Sequence, residues 1–334
     1  MVTHYLEYPA PASSDISTAE PRRVLIFFIT GNPGLIDYYA LFLSTLSELI
    51  RDSASLQKTA RFHIYGQDLA GFNDSDHEPF TAHRKPHDLE TQIQHTLKAL
   101  KNIRIEDGPR QGQPYDDVLL AGHSVGTYIA LELCHRVLKD PGLAPSLNLG
   151  SGILLFPTIH HISSSPSGRK LDLLRRIPIL GDNAYRIAQG FLHLLPRRGL
   201  HWIVRRVMGF PVHAAEVTTR WLKSRDGVWQ ALHMGMDEMK VIGEDKWDDE
   251  LWGIVHEAQA HEMPVPKFCF FFGKNDHWVA SHYRDEFIQK RQRQPERTQF
   301  VVDEGNIPHA FCIHHSETVA EKVHHWITDM YSAD

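Results

Sequence analysis

Val118-Leu119-Leu120-Ala121-Gly122-His123-Ser124-Val125-Gly126 decides how this chain is read. Val118–Ala121 is an apolar run of strand length, and Val125–Leu138 carries the spacing of an amphipathic helix. Between them, a serine has glycine two residues before and two residues after. A nucleophile on a sharp strand-to-helix turn needs small neighbours at both places, and the helix N-terminus favours negative charge developing beside it. The bare pattern would arise by chance in a chain this long roughly one time in ten. The strand before it and the helix after it therefore carry the inference.

Working outward, similar short runs recur. Val24–Ile29, Arg61–Tyr65, Gly152–Phe156, Lys267–Phe272 and Thr298–Val302 read as buried strands. Helical patterns lie between them. Tyr39, Phe42, Leu43, Leu46 and Ile50 form one stripe, with Asp37 as the expected cap, and Leu89–Leu100 forms another. Alternation of strand and helix predicts an α/β fold, with a mostly parallel sheet covered on both faces. The alternation stops at Phe156 and resumes near Lys267. A crossover does not need that length. The expected organisation is a core formed by residues 1–156 and 263–334, with residues 157–262 inserted as a helical cap. Ser163–Ser167 reads as a short polar loop.

Composition excludes several classes. Of 334 residues, 42% are hydrophobic and 23% charged, as in an ordinary globular chain. The net charge of −6 argues against nucleic acid as a partner. Cys134, Cys269 and Cys312 lack metal-ligand spacing and read as small buried hydrophobes in a reducing compartment. The first twenty residues lack a signal-peptide pattern, and no apolar run approaches the roughly 20 residues of a membrane span. The adjacent pairs His160-His161, His314-His315 and His324-His325 cannot act as i, i+4 ligands, and Asp74, Ser75 and Asp76 read as turn caps. No metal or cofactor is expected.

A nucleophilic serine needs a base, an acid to orient that base, and donors for an oxyanion. Thr30-Gly31-Asn32-Pro33-Gly34 follows the first core strand. Pro33 has no N–H, so the expected donors are the backbone amides of Asn32 and Val125. Asp276 follows Phe268–Phe272, while the loop after Gly152–Phe156 offers no carboxylate, so Asp276 is the expected acid. His309 follows the last strand and is the expected base, with His314 and His315 placed inside the final helix. The chain order Ser124, Asp276, His309 is that of the α/β-hydrolase fold, the predicted fold class.

Between Arg169 and Arg206 there are nine basic residues, opposed only by Asp172 and Asp182. Ile187, Phe191, Leu194 and Leu195 make one apolar stripe there. Leu200, Ile203, Val204, Val207 and Met208 make a second, with Trp202 beside it. Basic amphipathic helices with tryptophan suit an anionic lipid–water interface; a lid covering a pocket is the other reading.

Together these motifs resemble the lipid droplet-associated hydrolase family. The resemblance rests on Gly31-Asn32-Pro33-Gly34, on Gly122-His123-Ser124-Val125-Gly126 with Tyr128, and on Phe156-Pro157-Thr158-Ile159. It extends to Ser165-Pro166-Ser167-Gly168-Arg169, Gly273-Lys274-Asn275-Asp276-His277-Trp278 and Pro308-His309-Ala310-Phe311. Many relatives have proline before the G-N-P-G loop; Thr30 stands there in this chain and leaves the Asn32 amide in place. The resemblance implies residence at lipid droplets and the endoplasmic reticulum, with sterol esters or other neutral lipids as substrates. Two alternatives share these residues: a lipid-surface protein with little or no turnover, and an acyltransferase or thioesterase. A serine rather than an aspartate nucleophile disfavours dehalogenase and epoxide-hydrolase chemistry.

Overall fold

The fold is taken from a computed structural model. It describes residues 3–10, 21–176, 189–192, 194–247, 251–252, 267–291 and 298–332. Among the described residues seven strands form one sheet: β1 (Tyr5–Tyr8), β2 (Arg22–Ile29), β3 (Ala60–Gln67), β4 (Asp117–His123), β5 (Leu149–Leu155), β6 (Lys267–Gly273) and β7 (Thr298–Asp303). Their order is β1-β3-β2-β4-β5-β6-β7. Every neighbouring pair is parallel except β1 with β3. The six strands expected from sequence are all present, each slightly longer than its apolar run. β1 was not expected; its four half-exposed residues offer no apolar run to read.

Strands at the centre of a parallel sheet are buried on both faces and so read as continuous apolar runs. Val24–Ile29 of β2 and all seven residues of β4 are buried, as is Phe268–Gly273 of β6. The core helices are α1 (Ala40–Asp52), α2 (Ala54–Thr59), α3 (Leu89–Asn102) and α4 (Val125–Lys139). Phe42, Leu43, Leu46 and Ile50 of α1 are buried as the stripe requires. Asp37, however, does not cap that helix. A 3-10 turn, Ile36–Tyr39, precedes α1, whose N-cap is Tyr39 with no side-chain cap bond. The Asp37 carboxylate instead accepts from His4 Nε2 at 2.7 Å and pairs with Arg220, partners no local pattern announces.

Between β5 and β6 the chain forms α5 (Pro166–Arg176), α6 (Arg197–Trp202), α7 (Val212–Leu222) and α8 (Gly227–Val241). Ser163–Ser167 is not a plain loop: Ile162–Ser164 makes a helical turn, and Ser165 Oγ accepts from the Gly168 amide at 2.9 Å to start α5. Ile187 and Arg186 lie outside the described residues, as do the side chains of Arg175 and Arg176. The second apolar stripe divides. Leu200 and Val204 are buried against Ala215, whereas Trp202, Val207 and Met208 face outward. A π-helical turn over Ile203–Val207 shifts the register that an α-helical stripe assumes. The core closes with α9 (Ser281–Arg291) and α10 (Ser316–Tyr331), the latter packed on α1. His314 and His315 precede α10, with His315 as its N-cap, rather than lying inside it.

The crossing of α4 over β2 fixes how near the elbow comes to the sheet. A Cβ on Gly126 would stand 2.3 Å from the Ile29 carbonyl oxygen, a backbone atom that no rotamer change can move. Gly126→Ala should therefore destabilise the fold by about 1–3 kcal/mol through overpacking. Denaturant unfolding would show a lower midpoint at unchanged slope; an unchanged midpoint would mean the approach is looser than this.

Candidate active site

Ser124 stands between β4 and α4, as the N-cap of the helix, with φ 54° and ψ −125°, a conformation residues other than glycine rarely adopt. Its amide donates to the Leu155 carbonyl at 3.0 Å, which ties the turn to β5. A Cβ on Gly122 would meet the Gly126 carbonyl oxygen at 2.6 Å, so the backbone of the second glycine excludes a side chain at the first, while the Ile29 and Thr30 carbonyls exclude one at Gly126. The turn leaves the Ser124 side chain partly exposed while its neighbours on both sides are buried.

The structure brings Ser124, His309 and Asp276 together. Ser124 Oγ lies 2.9 Å from His309 Nε2, and His309 Nδ1 lies 2.7 Å from Asp276 Oδ2. A carboxylate only accepts, so Nδ1 carries the proton and Nε2 is the free acceptor facing the serine hydroxyl. The second carboxylate oxygen, Asp276 Oδ1, takes the Trp278 amide at 2.8 Å. Burial pushes the Asp276 carboxyl up, but the charge and hydrogen bond of His309 and the Trp278 amide outweigh it, leaving its pKa below the usual range. Asn275 Nδ2 donates to Asn306 Oδ1 at 2.8 Å, joining the loop that carries Asp276 to the loop that carries His309. Asp303 Oδ2 accepts the Ile307 amide at 2.9 Å and shapes the latter.

Asn32 sits in the loop after β2, and its side chain reaches out of the core. Its Nδ2 donates to the Ala231 carbonyl and to Glu238 Oε1, both at 3.0 Å and both on α8. Glu238 was not singled out from sequence. Burial, with Asp237 adding to it against the Asn32 hydrogen bond, pushes its carboxyl up to about 8. Another link runs from Ser165-Pro166-Ser167-Gly168-Arg169. Ser167 Oγ meets His277 Nδ1 at 2.7 Å, and the Ser167 amide donates to the His277 carbonyl at 3.0 Å, so the start of α5 is fastened beside Asp276.

Within the turn of Asp74, Ser75 and Asp76 it is Asn73 Oδ1 that accepts an amide, that of Ser75 at 3.1 Å, while Asp74 reaches across to another turn. Asp74, His77 and Asp226 converge closely enough to hold a cation. Their atoms are already engaged. Asp74 accepts the amides of Arg225 and Asp226, and Asp226 Oδ2 takes Arg225 Nε at 2.7 Å. The cluster acts as a polar joint between the loop after β3 and the start of α8.

A strand-to-helix elbow bearing a serine, with a carboxylate after β6 and a histidine after β7, is the plan of the α/β-hydrolases. Solved structures agree on the fold. A peroxisomal alpha-beta-hydrolase from Saccharomyces cerevisiae is similar at a TM-score of 0.58 and 12% identity, over 98% of this chain and 89% of that one. A bromoperoxidase from Bacillus anthracis is similar at a TM-score of 0.55 and 11% identity, over 97% of this chain and 95% of that one. At the level of family, the lipid-droplet associated hydrolases match residues 22–312, and the chain belongs to that family. The lipid droplet-associated hydrolase of Rattus norvegicus is 30% identical over 93% of this chain and 86% of its own length. That of Homo sapiens is 27% identical over 92% and 86%.

Glu238 gives a pH signature. Its folded pKa lies above its ordinary value of 4.5, so the stability it contributes is complete below 4.5 and is lost as pH rises towards about 8. Replacing Glu238 with glutamine should remove that slope. The difference in Tm between wild type and Glu238→Gln should therefore shift towards the variant across this window. Parallel Tm curves would show that the carboxyl is not held protonated.

Proposed function

We propose that the chain hydrolyses carboxylic esters of lipids through Ser124, His309 and Asp276. The observation that carries the reading is the unbroken bond sequence from Asp276 Oδ2 through both nitrogens of His309 to Ser124 Oγ. In the proposed reaction Ser124 Oγ attacks the ester carbonyl carbon and its proton passes to His309 Nε2. The negative oxygen of the tetrahedral intermediate lies in the amides of Asn32 and Val125. Collapse expels the alcohol, which takes the proton back from Nε2, and leaves an acyl-Ser124. Water then repeats the sequence, releasing the acid and restoring the serine. Asp276 holds the Nδ1–H tautomer and offsets the charge of the imidazolium.

Sterol esters and other neutral-lipid esters are the proposed substrates, and lipid droplets and the endoplasmic reticulum surface the proposed location. The family's name and the resemblance in the motifs support this. Residues 157–262 are proposed as a cap that both covers the site and meets lipid. Among the described residues no helix is long and apolar enough to cross a membrane. The same insertion exposes Phe191 by 68% and Leu194 by 81%, with Arg197, Arg198 and Arg206 also exposed close by in sequence. Apolar groups flanked by arginines fit a surface of acyl chains and phosphates.

Fluorophosphonate labelling tests the nucleophile. The wild type should take one label at Ser124, and Ser124→Ala none. Asp276→Asn should lower kcat by about 10⁴-fold with far less change in KM, because the wrong tautomer faces the serine. Label on another serine would overturn the assignment.

Lipid attachment has its own test. Replacing Phe191, Leu194 and Leu195 with serine should release the protein from anionic vesicles even at low salt. Charge reversal at Arg197, Arg198, Arg205 and Arg206 should weaken binding in a salt-dependent way. Hydrolysis of a short soluble ester should survive in both. Undiminished vesicle binding would place the anchor elsewhere.

A further inference from the structure

A second line of hydrogen bonds runs behind the nucleophile, through two side chains, Tyr39 and His123, that the proposed reaction does not use. The Gly31 amide donates to Tyr39 Oη at 3.1 Å. Tyr39 Oη lies 2.7 Å from His123 Nδ1. His123 Nε2 lies 2.8 Å from the His309 carbonyl oxygen. All four residues are buried.

The ends of this line fix its middle. The His309 carbonyl can only accept, so His123 Nε2 carries the proton. His123 Nδ1 is then an acceptor, and Tyr39 supplies its hydroxyl hydrogen. That leaves the Tyr39 oxygen free to accept from Gly31, which can only donate. Burial, followed by the nearby His309, pushes His123 down to about 3, so the ring stays neutral as this arrangement needs. The Cys312 thiol interacts with the same hydroxyl and is pushed up to about 12 by burial, so it remains protonated there.

The line connects two loops that the reaction must hold in register. Gly31 adjoins Asn32, the proposed oxyanion donor, and His309 is the proposed base. His123 sits between them on the strand that presents Ser124. Packing is equally close: a Cβ on Gly31 would lie 2.9 Å from His123 Nδ1 and 3.1 Å from the Ser124 Cβ. Phe311 and Phe156 hold the His123 ring edge-on at 5.1 and 6.1 Å between centroids. The His309 carbonyl also accepts the Phe311 amide at 2.9 Å, so His123 supplies its second hydrogen bond.

We infer that Tyr39 and His123 are positioning residues that set the distance between the oxyanion loop, the nucleophile and the base. The inference rests on the esterase reading above. Removing the Tyr39 hydroxyl leaves the Gly31 amide and His123 Nδ1 without partners. It also frees the ring to adopt the other tautomer, in which Nε2 and the His309 carbonyl oppose lone pair to lone pair. The base then loses one of the two bonds that seat its backbone. Small displacements of this kind act on the chemical step more than on substrate binding.

Tyr39→Phe, which deletes one oxygen and keeps the ring, is the principal test, with His123→Gln and His123→Leu beside it. Each protein is titrated to completion with a fluorophosphonate, and turnover of a short soluble ester is expressed per labelled Ser124. Tyr39→Phe should label fully yet lose about tenfold to hundredfold in kcat per site, with KM within about twofold of wild type. His123→Gln keeps a donor and an acceptor on one amide and should retain more turnover per site than His123→Leu. Wild-type turnover per labelled site in Tyr39→Phe overturns the inference, as does a loss of activity that only follows a loss of labelled sites. A wild-type chain that takes no label at Ser124 overturns the esterase reading and this inference with it.

Discussion

Ser124 is held at a positive φ, and the geometry around it follows from that one constraint. Such a backbone costs about 1–3 kcal/mol and persists only where its surroundings over-determine it. The surroundings are visible. The Ser124 amide is fastened to Leu155, Gly122 and Gly126 touch through their backbones, and the first turn of α4 lies against the carbonyls of Ile29 and Thr30. Phe156 and Phe311 pack edge-on against the adjoining His123, Phe271 packs on Phe156, and all three are fully buried. Each contributes roughly 1.5–3 kcal/mol by leaving water, so the strain at one residue is readily offset.

The polar groups around the serine are each held by a partner from a different part of the chain. The loops that carry Asp276 and His309 are joined by Asn275 and Asn306, the start of α5 is fastened to His277, and α8 grips Asn32. Arg284 Nη1 donates to the carbonyls of Gly273 and Lys274, bracing the turn that carries Asp276 from a helix ten residues further on. Loops that would otherwise be free to drift are thereby tied into one frame, and the rigid sheet sets its dimensions.

Much of this could be read from the chain because burial on both faces of a sheet writes itself as unbroken apolar runs, and because the elbow, Asp276 and His309 each follow such a run. What could not be read depends on distant partners. β1 is a half-exposed edge whose Tyr-Leu-Glu-Tyr has no apolar run to mark it. Asp37 looks like a cap, yet His4 and Arg220 claim it. The stripe through Leu200 and Met208 assumes 3.6 residues per turn, and the π turn breaks that count. Glu238 follows Asp237 on a helix and looks like any solvated acid; its burial against Asn32 has no signature in the sequence. Tyr39 was legible as part of an apolar stripe, but the use of its hydroxyl was not.

The hydrogen-bonded line from Gly31 to His309 is terminated at both ends by backbone groups of fixed polarity: an amide that cannot accept and a carbonyl that cannot donate. With the ends fixed, every hydrogen between them has one allowed place. Reversing the line would demand a proton at each end that the backbone cannot supply or absorb. It therefore conducts no protons, in contrast to the transfer proposed between Ser124 and His309. What passes along it is displacement: a shift of the Gly31 loop is felt at His309, as in a linkage whose joints have no second setting.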